Sequence, residues 1–398
     1  MRRLALAAVA VLFLAAPAAA DTPGVSSTQI VIGGTGPLSG TETAYAPVLR
    51  GAQAYFSYVN AHGGVFGRKI VYKIVDDGYD PTKTVEATRQ LVEQDHVLAI
   101  VNSVGTEQNL AIRDYLNQQK VPQLFGGTGA DSIAAHRAQY PWTIGYLPSF
   151  TGEGRVYGRD IAKHHPNAKI AVLYEDSEYG QELFEGVREG LGIHGGQILV
   201  KQTYEPSDVT VSSQVAKLKG SGADTFLILA LPKQAISAFV SAHQLGWQPR
   251  CYVTSVSIDP AVMAIVKFNG AGSLANGAVS TAFLHDPTNP ARRKAKGVLL
   301  YNAIMKRYGK GFDPKQIAHI YGMAVAFTMV DALKHAGRNP TRDSLLRAAT
   351  HLNEVNPFLL PGLPVRTSPG DYYPIGATYL VRYLRGVWMP SSKPLATG

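Results

Sequence analysis

Residues 30–81 form one continuous β-loop-α-β pattern, and its first loop limits what the rest of the chain can build. Ile30, Val31 and Ile32 are a short β-branched run that stops at Gly33 and Gly34, as a buried parallel strand does. The loop that follows, Gly34 to Gly40, carries glycines that let backbone approach another group closely. Val48, Leu49, Ala52, Phe56 and Val59 then recur at helical spacing, with Pro47 in the first turn and Gly63-Gly64 as the stop. A second strand over 70–75 ends at Asp76-Asp77, and Asp80-Pro81 makes an N-cap and N1 pair for the next helix. In open α/β sheets ligands lie beyond the carboxyl ends of the strands, where this loop sits. The glycines alone would also suit a tight turn. Ser39, Thr41, Thr43 and Tyr45 tilt the reading towards a ligand site.

The remainder of the chain repeats the alternation. Helix is predicted over 82–95, strand over 97–101, helix over 107–119 and strand over 121–125. The loops at 102–106 and 126–131 resemble the first in their Gly, Ser and Thr content, so three successive loops offer N–H groups at helix N-termini. Helix capping alone accounts for any one of them. Residues 141–148 break the rhythm and read as a crossing to a second unit, and 277–284 as a second crossing. Between them, strands at 169–174, 198–204, 224–230 and 252–254 alternate with helices from 180, over 212–219 and over 233–245, which predicts a second parallel sheet. Long helical patterns follow at 289–308 and 317–336, a shorter one at 342–350, and a strand at 377–384.

With 398 residues the chain is long enough for two domains, and 45% hydrophobic with 17% charged residues is an ordinary globular balance. Arg2-Arg3, the apolar run over 4–16 and Ala18-Ala19-Ala20 before Asp21 read as a secretory signal peptide cleaved after Ala20. Twin-arginine export is a weaker reading, since the rest of that signal is missing. No later uninterrupted apolar run approaches the roughly 18 residues a membrane span needs. An exported, soluble protein is expected. Without residues 1–20, Lys+Arg falls from 38 to 36 against 29 acids, leaving +7 in place of +9. There is no basic stripe with interleaved aromatics, so nucleic acid is not expected as a partner. Cys251 is the single cysteine, which excludes an internal disulfide and points to a buried structural thiol.

Enzyme signatures are missing. Gly34-Thr-Gly36 approaches a dinucleotide fingerprint but has Ser39 at the last glycine, and the acids ending the second strand lie about twice too far along. No P-loop, zinc-protease or nucleophile-elbow motif occurs. The histidines are scattered, with His164-His165 in poor ligand geometry, so neither metal nor cofactor is expected. Asp76 and Asp77 are adjacent on a strand and point to opposite faces, which suits capping better than paired catalysis.

Several of these motifs occur together, in one order, in a known family. GPLSG, the helix with RGAQAYFSYVNAHGG, DDGYDP, VPQLFGGTGAD, YEDSEYGQE and the tail YYPIGATYLVRY resemble the periplasmic solute-binding proteins of ABC transporters, of the branched-chain amino-acid-binding (Leu/Ile/Val) type. The resemblance covers nearly all of the chain after the signal. It implies a type I periplasmic binding fold: α/β, two Rossmann-like doubly wound lobes joined by a three-segment hinge. Lobe one is then 21–144 with 280–355, and lobe two 145–279 with 356–398. The family's pocket elements match Leu38, Ser39, Thr41 and Tyr45 in the first loop. Gly105 and Thr106, with Gly127 and Thr128, match a clamp for the ligand carboxylate. Tyr179, Ala230 and Leu231 match the lobe-two wall, Tyr321 a late helix, and Tyr146 the first crossing. The implied partners are a small carboxylate-bearing ligand with an apolar body and an ABC permease, with the binding protein a monomer.

One departure stands out. The family's amino-acid binders place an acid after the fourth lobe-two strand to hold the ligand ammonium, and here Ser255 or Val256 stands there. An ammonium removed from water needs a charged or multiply bonding partner. Asp176, Glu178 and Asp259 are the candidate acids to replace it. The resemblance implies a branched-chain amino acid or a related aliphatic or aromatic acid, and this departure favours the carboxylate over its α-amino counterpart. Two alternatives of other classes stay open: an exported receptor domain reporting to a signalling partner, and an exported hydrolase, for which no nucleophile–base pair is present.

Overall fold

The β-branched run becomes β1 (Gln29–Gly36), the strand next to the centre of a five-stranded sheet. The computed structural model describes residues 22–397, less the side chains of 194–196, so the signal-peptide reading lies outside the described residues. After β1 come α1 (Ala46–Ala61), β2 (Lys69–Asp76), α2 (Pro81–Arg89), β3 (Ile100–Val101), α3 (Thr106–Gln118), β4 (Gln123–Gly126), α4 (Asp131–Ala135) and β5 (Thr143–Gly145). The strands run parallel in the order β2-β1-β3-β4-β5. Asp80 caps α2 as expected, its Oδ1 accepting from the Thr82 amide at 2.8 Å, with Pro81 at the first helical position. Of the strand expected over 97–101, only Ile100 and Val101 join the ladder. The segment read as the first crossing is in part β5, the last strand of this sheet, and the chain leaves just beyond it.

The second unit runs through α5 (Phe150–His164), β6 (Ile170–Glu175), α6 (Glu178–Leu191), β7 (Ile198–Tyr204), α7 (Ser212–Gly220), β8 (Thr225–Leu229), α8 (Pro232–Gln244), β9 (Arg250–Val253), α9 (Pro260–Val266), α10 (Gly272–Ala275) and β10 (Val279–Ala282). The chain then returns to the first unit for α11 (Lys296–Tyr308), α12 (Ile317–Ala336), α13 (Arg342–Ala349) and the small hairpin β11 (Asn353–Glu354) with β12 (Val365–Arg366). It ends in β13 (Ala377–Leu384), β14 (Val387–Pro390) and β15 (Leu395–Ala396). The second sheet has the order β14-β13-β10-β9-β8-β6-β7, with β15 on β13. β13 lies antiparallel to β10, so the tail closes the edge of an otherwise parallel sheet.

Helix α5 is absent from the sequence reading because Gly152, Gly154 and Gly158 weaken its helical signal. Those glycines serve packing. A Cβ on Gly154 would stand 2.1 Å from the Leu183 carbonyl, and one on Gly186 of α6 would stand 2.0 Å from the Thr151 carbonyl. The two helices lie backbone to backbone, which only glycine permits. The helix expected over 289–308 is also two pieces: a short turn at Pro290–Arg292, capped by Asn289, precedes α11.

Each sheet has its own core. The first takes in Ile30, Leu49, Leu124 and Tyr146, then Phe283, and the late segment through Phe358, Val365, Tyr372 and Ile375. The third passage between lobes therefore falls near Gly376, later than the boundary at 356 that the resemblance implied, because the 356–375 segment buries its apolar side chains in the first core. Phe226, Phe239 and Val381 belong to the second lobe's core, as do Ile170 and Leu183 on the opposite sheet face. Helix α12 is long and apolar enough by length and composition to cross a membrane. It is a core helix here, with Met323, Ala326 and Met329 fully buried. Cys251 is buried as expected, which pushes its thiol up.

Candidate functional site

A cavity of about 130 Å³ lies between the lobes, beyond the carboxyl ends of both sheets. Lobe one lines it with Tyr45, Gly105, Thr106, Gly127 and Tyr321, and lobe two with Tyr179, Leu231, Ser255 and Val256. Nine residues singled out in the sequence are thus brought together from seven separate segments. In volume the cavity is close to the roughly 150 Å³ that holds a benzene ring.

Backbone geometry sets the first wall. Gly105 has φ of 108°, a conformation side chains rarely adopt, and a Cβ there would meet the Gln108 Oε1 at 1.9 Å. It is the N-cap of α3 and supplies no side-chain cap, so the first turn of that helix presents its N–H groups uncapped at the cavity. Thr106 adds a hydroxyl, 2.8 Å from that of Thr128. The other wall is aromatic. Tyr179 meets Phe150 edge to face at 4.9 Å, and Tyr321 meets Phe283 at 6.4 Å. Tyr179 is 3% exposed and Tyr321 7%, and neither hydroxyl has a hydrogen-bond partner among the described residues. Buried hydroxyls without a protein partner are few in folded proteins, and these two border the cavity.

Six expected residues stand elsewhere. Leu38 and Ser39 give their amides to the Asp76 Oδ1 at 2.9 and 3.1 Å, which fixes the first loop from outside the cavity. Thr41 is exposed. Thr128 stands behind Thr106, and Ala230 is buried in the core one residue before Leu231. Tyr146 is fully buried, its hydroxyl 3.1 Å from the Ala324 carbonyl and 2.8 Å from Thr328, where it ties the first crossing to α12. Its ring supports Tyr321 from behind at 5.9 Å. A tyrosine at a crossing has the composition of a cleft residue and the same composition as a hinge-packing one, which is why sequence misplaced it.

The acids considered for an ammonium are all engaged or distant. Asp176 is exposed. Glu178 contacts the Ser132 hydroxyl, and its amide donates to the Glu107 Oε1 at 3.0 Å across the lobe boundary. Asp259 lines the cavity, but its Oδ1 accepts from Ala261 N at 2.9 Å and its Oδ2 from Ala318 N at 3.2 Å. Burial pushes its carboxyl up to about 6. Ser255, at the family's acidic position, binds an acid itself: its amide and hydroxyl donate to Glu153 at 2.7 and 2.5 Å.

Lining residues that sequence reasoning missed include Tyr79, Phe150, Phe283 and Leu284, and it also missed a buried acid. Glu42, in the first loop, is 0% exposed with both oxygens unpartnered. Burial, reinforced by the Glu175 charge and opposed by Lys233, pushes it up to about 7. Nothing in a Gly-Thr-Glu-Thr loop signals burial. Phe150 opens the helix the glycines concealed, and Phe283 and Leu284 lie in the second crossing, read only as a connection. Among the described residues no group of three or more His, Cys, Asp or Glu could hold a metal.

The model of the periplasmic binding protein family matches residues 29–386. The chain is similar to Leu/Ile/Val-binding protein homolog 7 of Brucella suis biovar 1, 28% identical over 274 residues, which span 66% of each chain. It is 23% identical over 337 residues to Leu/Ile/Val-binding protein homolog 2 of Brucella abortus, covering 84% of this chain and 85% of that one. Among solved structures, a branched-chain amino acid ABC transporter protein from Thermus thermophilus with bound valine superposes with a TM-score of 0.82 at 17% identity, covering 94% of this chain and 97% of the other. A fatty acid ABC transporter substrate-binding protein from Thermomonospora curvata gives 0.78 at 22% identity, covering 94% of both.

Proposed function

The chain belongs to the periplasmic binding protein family, and from that premise we propose that it is the solute-binding component of an ABC importer. It captures a small carboxylate in the interlobe cavity and delivers it to the permease, by binding and without catalysis. The signal peptide is removed after Ala20, and the protein acts in the periplasm as a monomer. The observation that carries this reading is that two lobes line one cavity. A ligand there holds them together, and its release requires them to part.

The uncapped start of α3, with Gly105 and Thr106, supports a carboxylate at one end. Tyr45, Leu231, Val256 and Tyr321 support an apolar body, as small-molecule sites commonly have. Asp259 is the one carboxylate lining the cavity among the described residues, and both of its oxygens are taken. An unpaired buried ammonium costs several kcal/mol. A branched or aromatic carboxylate therefore binds more tightly than the matching α-amino acid. Calorimetric titration with 4-methylpentanoate and leucine, and with 3-phenylpropanoate and phenylalanine, tests the order. Tighter binding of the amino acids would overturn it.

A further inference from the structure

A second cavity of about 50 Å³ abuts the first at the hinge, and the two share Ser255, Ile258, Phe283, Leu284 and Ile317. Four of these five are apolar, and together they form a gate between the chambers. Beyond it the second chamber is bounded by Leu360 and Trp388 and ends at Asp286, Asn289 and Arg292. The Trp388 indole N–H donates to the Ile258 carbonyl at 2.9 Å, and the Asn289 amide to the Trp388 carbonyl at 3.0 Å, so these two are satisfied within the protein. Asp286 is not. Its Oδ1 accepts from the Thr288 amide and hydroxyl, both at 2.7 Å, while its Oδ2 is buried with no partner, in a residue only 7% exposed. Arg292 also borders the chamber and makes no ion pair among the described residues.

A buried carboxylate oxygen without a donor is costly, and such groups mark places where something else is received. At about 30 Å³ per water-sized group, the chamber takes a terminal group of one or two heavy atoms. Resting on the carboxylate reading above, we propose that the ligand is elongated: its apolar chain passes the gate of Ile258, Phe283, Leu284 and Ile317, and a terminal hydroxyl donates to Asp286 in the hinge chamber. A hydroxyl meets both neighbours, since it can donate to Asp286 and accept from Arg292. The hinge is the part that moves least as lobes close, so a group lodged there is held in open and closed forms alike.

The test is calorimetry with the full mature chain and straight-chain carboxylates: butanoate, hexanoate, octanoate and 8-hydroxyoctanoate. Affinity rises about fourfold per methylene until the gate is passed, as burial of each added group predicts. The terminal hydroxyl then adds about tenfold, and Asp286→Asn removes that preference while Asp286 and Asn variants melt alike. Leu360→Phe, which fills the hinge chamber from its far side, costs octanoate and 8-hydroxyoctanoate at least tenfold and leaves butanoate unchanged. Equal affinity from butanoate to octanoate, or a hydroxyl preference that survives in Asp286→Asn, overturns the proposal and leaves carboxylate capture standing. If none of the four binds while an amino acid does, the carboxylate reading falls with it.

Discussion

The hydroxyls of Thr106 and Thr128 lie 2.8 Å apart, and only the first of the two residues lines the cavity. Thr128 also accepts from the Ala130 amide at 3.1 Å, so its hydroxyl is anchored on one side and orients Thr106 on the other. The proposed carboxylate clamp is thus two residues deep.

Thr106→Val removes a donor in the cavity and raises the Kd for a carboxylate by about tenfold, the equivalent of one hydrogen bond. Thr128→Val acts through Thr106 and raises it by a few-fold, and Thr128→Ser restores it. Calorimetry with 4-methylpentanoate reads all three. A Thr128→Val protein that binds normally means Thr106 is held by its own helix alone.

Asp259 belongs to lobe two and reaches the start of α12 in lobe one through its bond to Ala318 N, where Gln316, the N-cap, provides no side-chain cap. Asp259→Ala removes that cross-lobe bond and the cap on α9, costing about 1 kcal/mol for the cap alone. In small-angle scattering the wild type becomes more compact on adding ligand, and the variant is more open without it. Identical radii for the two proteins, with and without ligand, would assign closure to other contacts.

Closure is expected to be linked to protons. Glu42 of lobe one and Glu175 of lobe two are both pushed from 4.5 to about 7, in each case chiefly by burial. Glu42 faces Glu175, Lys233 and the rings of Tyr45, Tyr79 and Tyr179, while Glu175 also faces Glu107, Glu205 and the Tyr204 hydroxyl. An acid with a raised pKa keeps its proton in the closed form where the exposed acid has lost it. Its contribution is full below 4.5 and disappears as pH rises through about 7. Ligand affinity therefore falls between pH 5 and 8, with proton uptake on binding. Glu42→Gln flattens the slope, and a flat profile in the wild type would show that these acids stay sealed in the open form.

Cleavage is expected after Ala20, which gives a protein that begins at Asp21. Intact mass on a periplasmic extract checks this. Retention of Arg2-Arg3 would refute it.

Most of the fold was legible because strand and helix periods, caps and stops are local. Asp80-Pro81 sets α2, β7, α12 and β13 have the limits their patterns predict, and the repeated β/α alternation specifies two parallel sheets. The failures share one cause, which is that some signals gain meaning only from what is packed against them. The glycines of α5 look like helix breakers until α6 is seen to lie on them. The 356–375 segment looks like a Pro- and Gly-rich tail until Phe358, Tyr372 and Ile375 are found in the first core.

The site divides along the same line. Residue type and loop position marked Tyr45, Gly105, Thr106, Gly127 and Tyr179 as near a cleft, because in an α/β sheet the loops at the carboxyl ends are fixed by the strands they follow, and the family resemblance added Leu231, Ser255, Val256 and Tyr321. Which hydroxyl faces inward, and which acid is free, depends on side-chain partners distant in sequence. Tyr146 is taken by Thr328, 182 residues away, and Asp259 by Ala318, 59 away. The burial of Glu42 and the unpartnered oxygen of Asp286 follow likewise from how two lobes meet. Desolvation is a property of the whole surroundings of a group, so only the tertiary structure decided it.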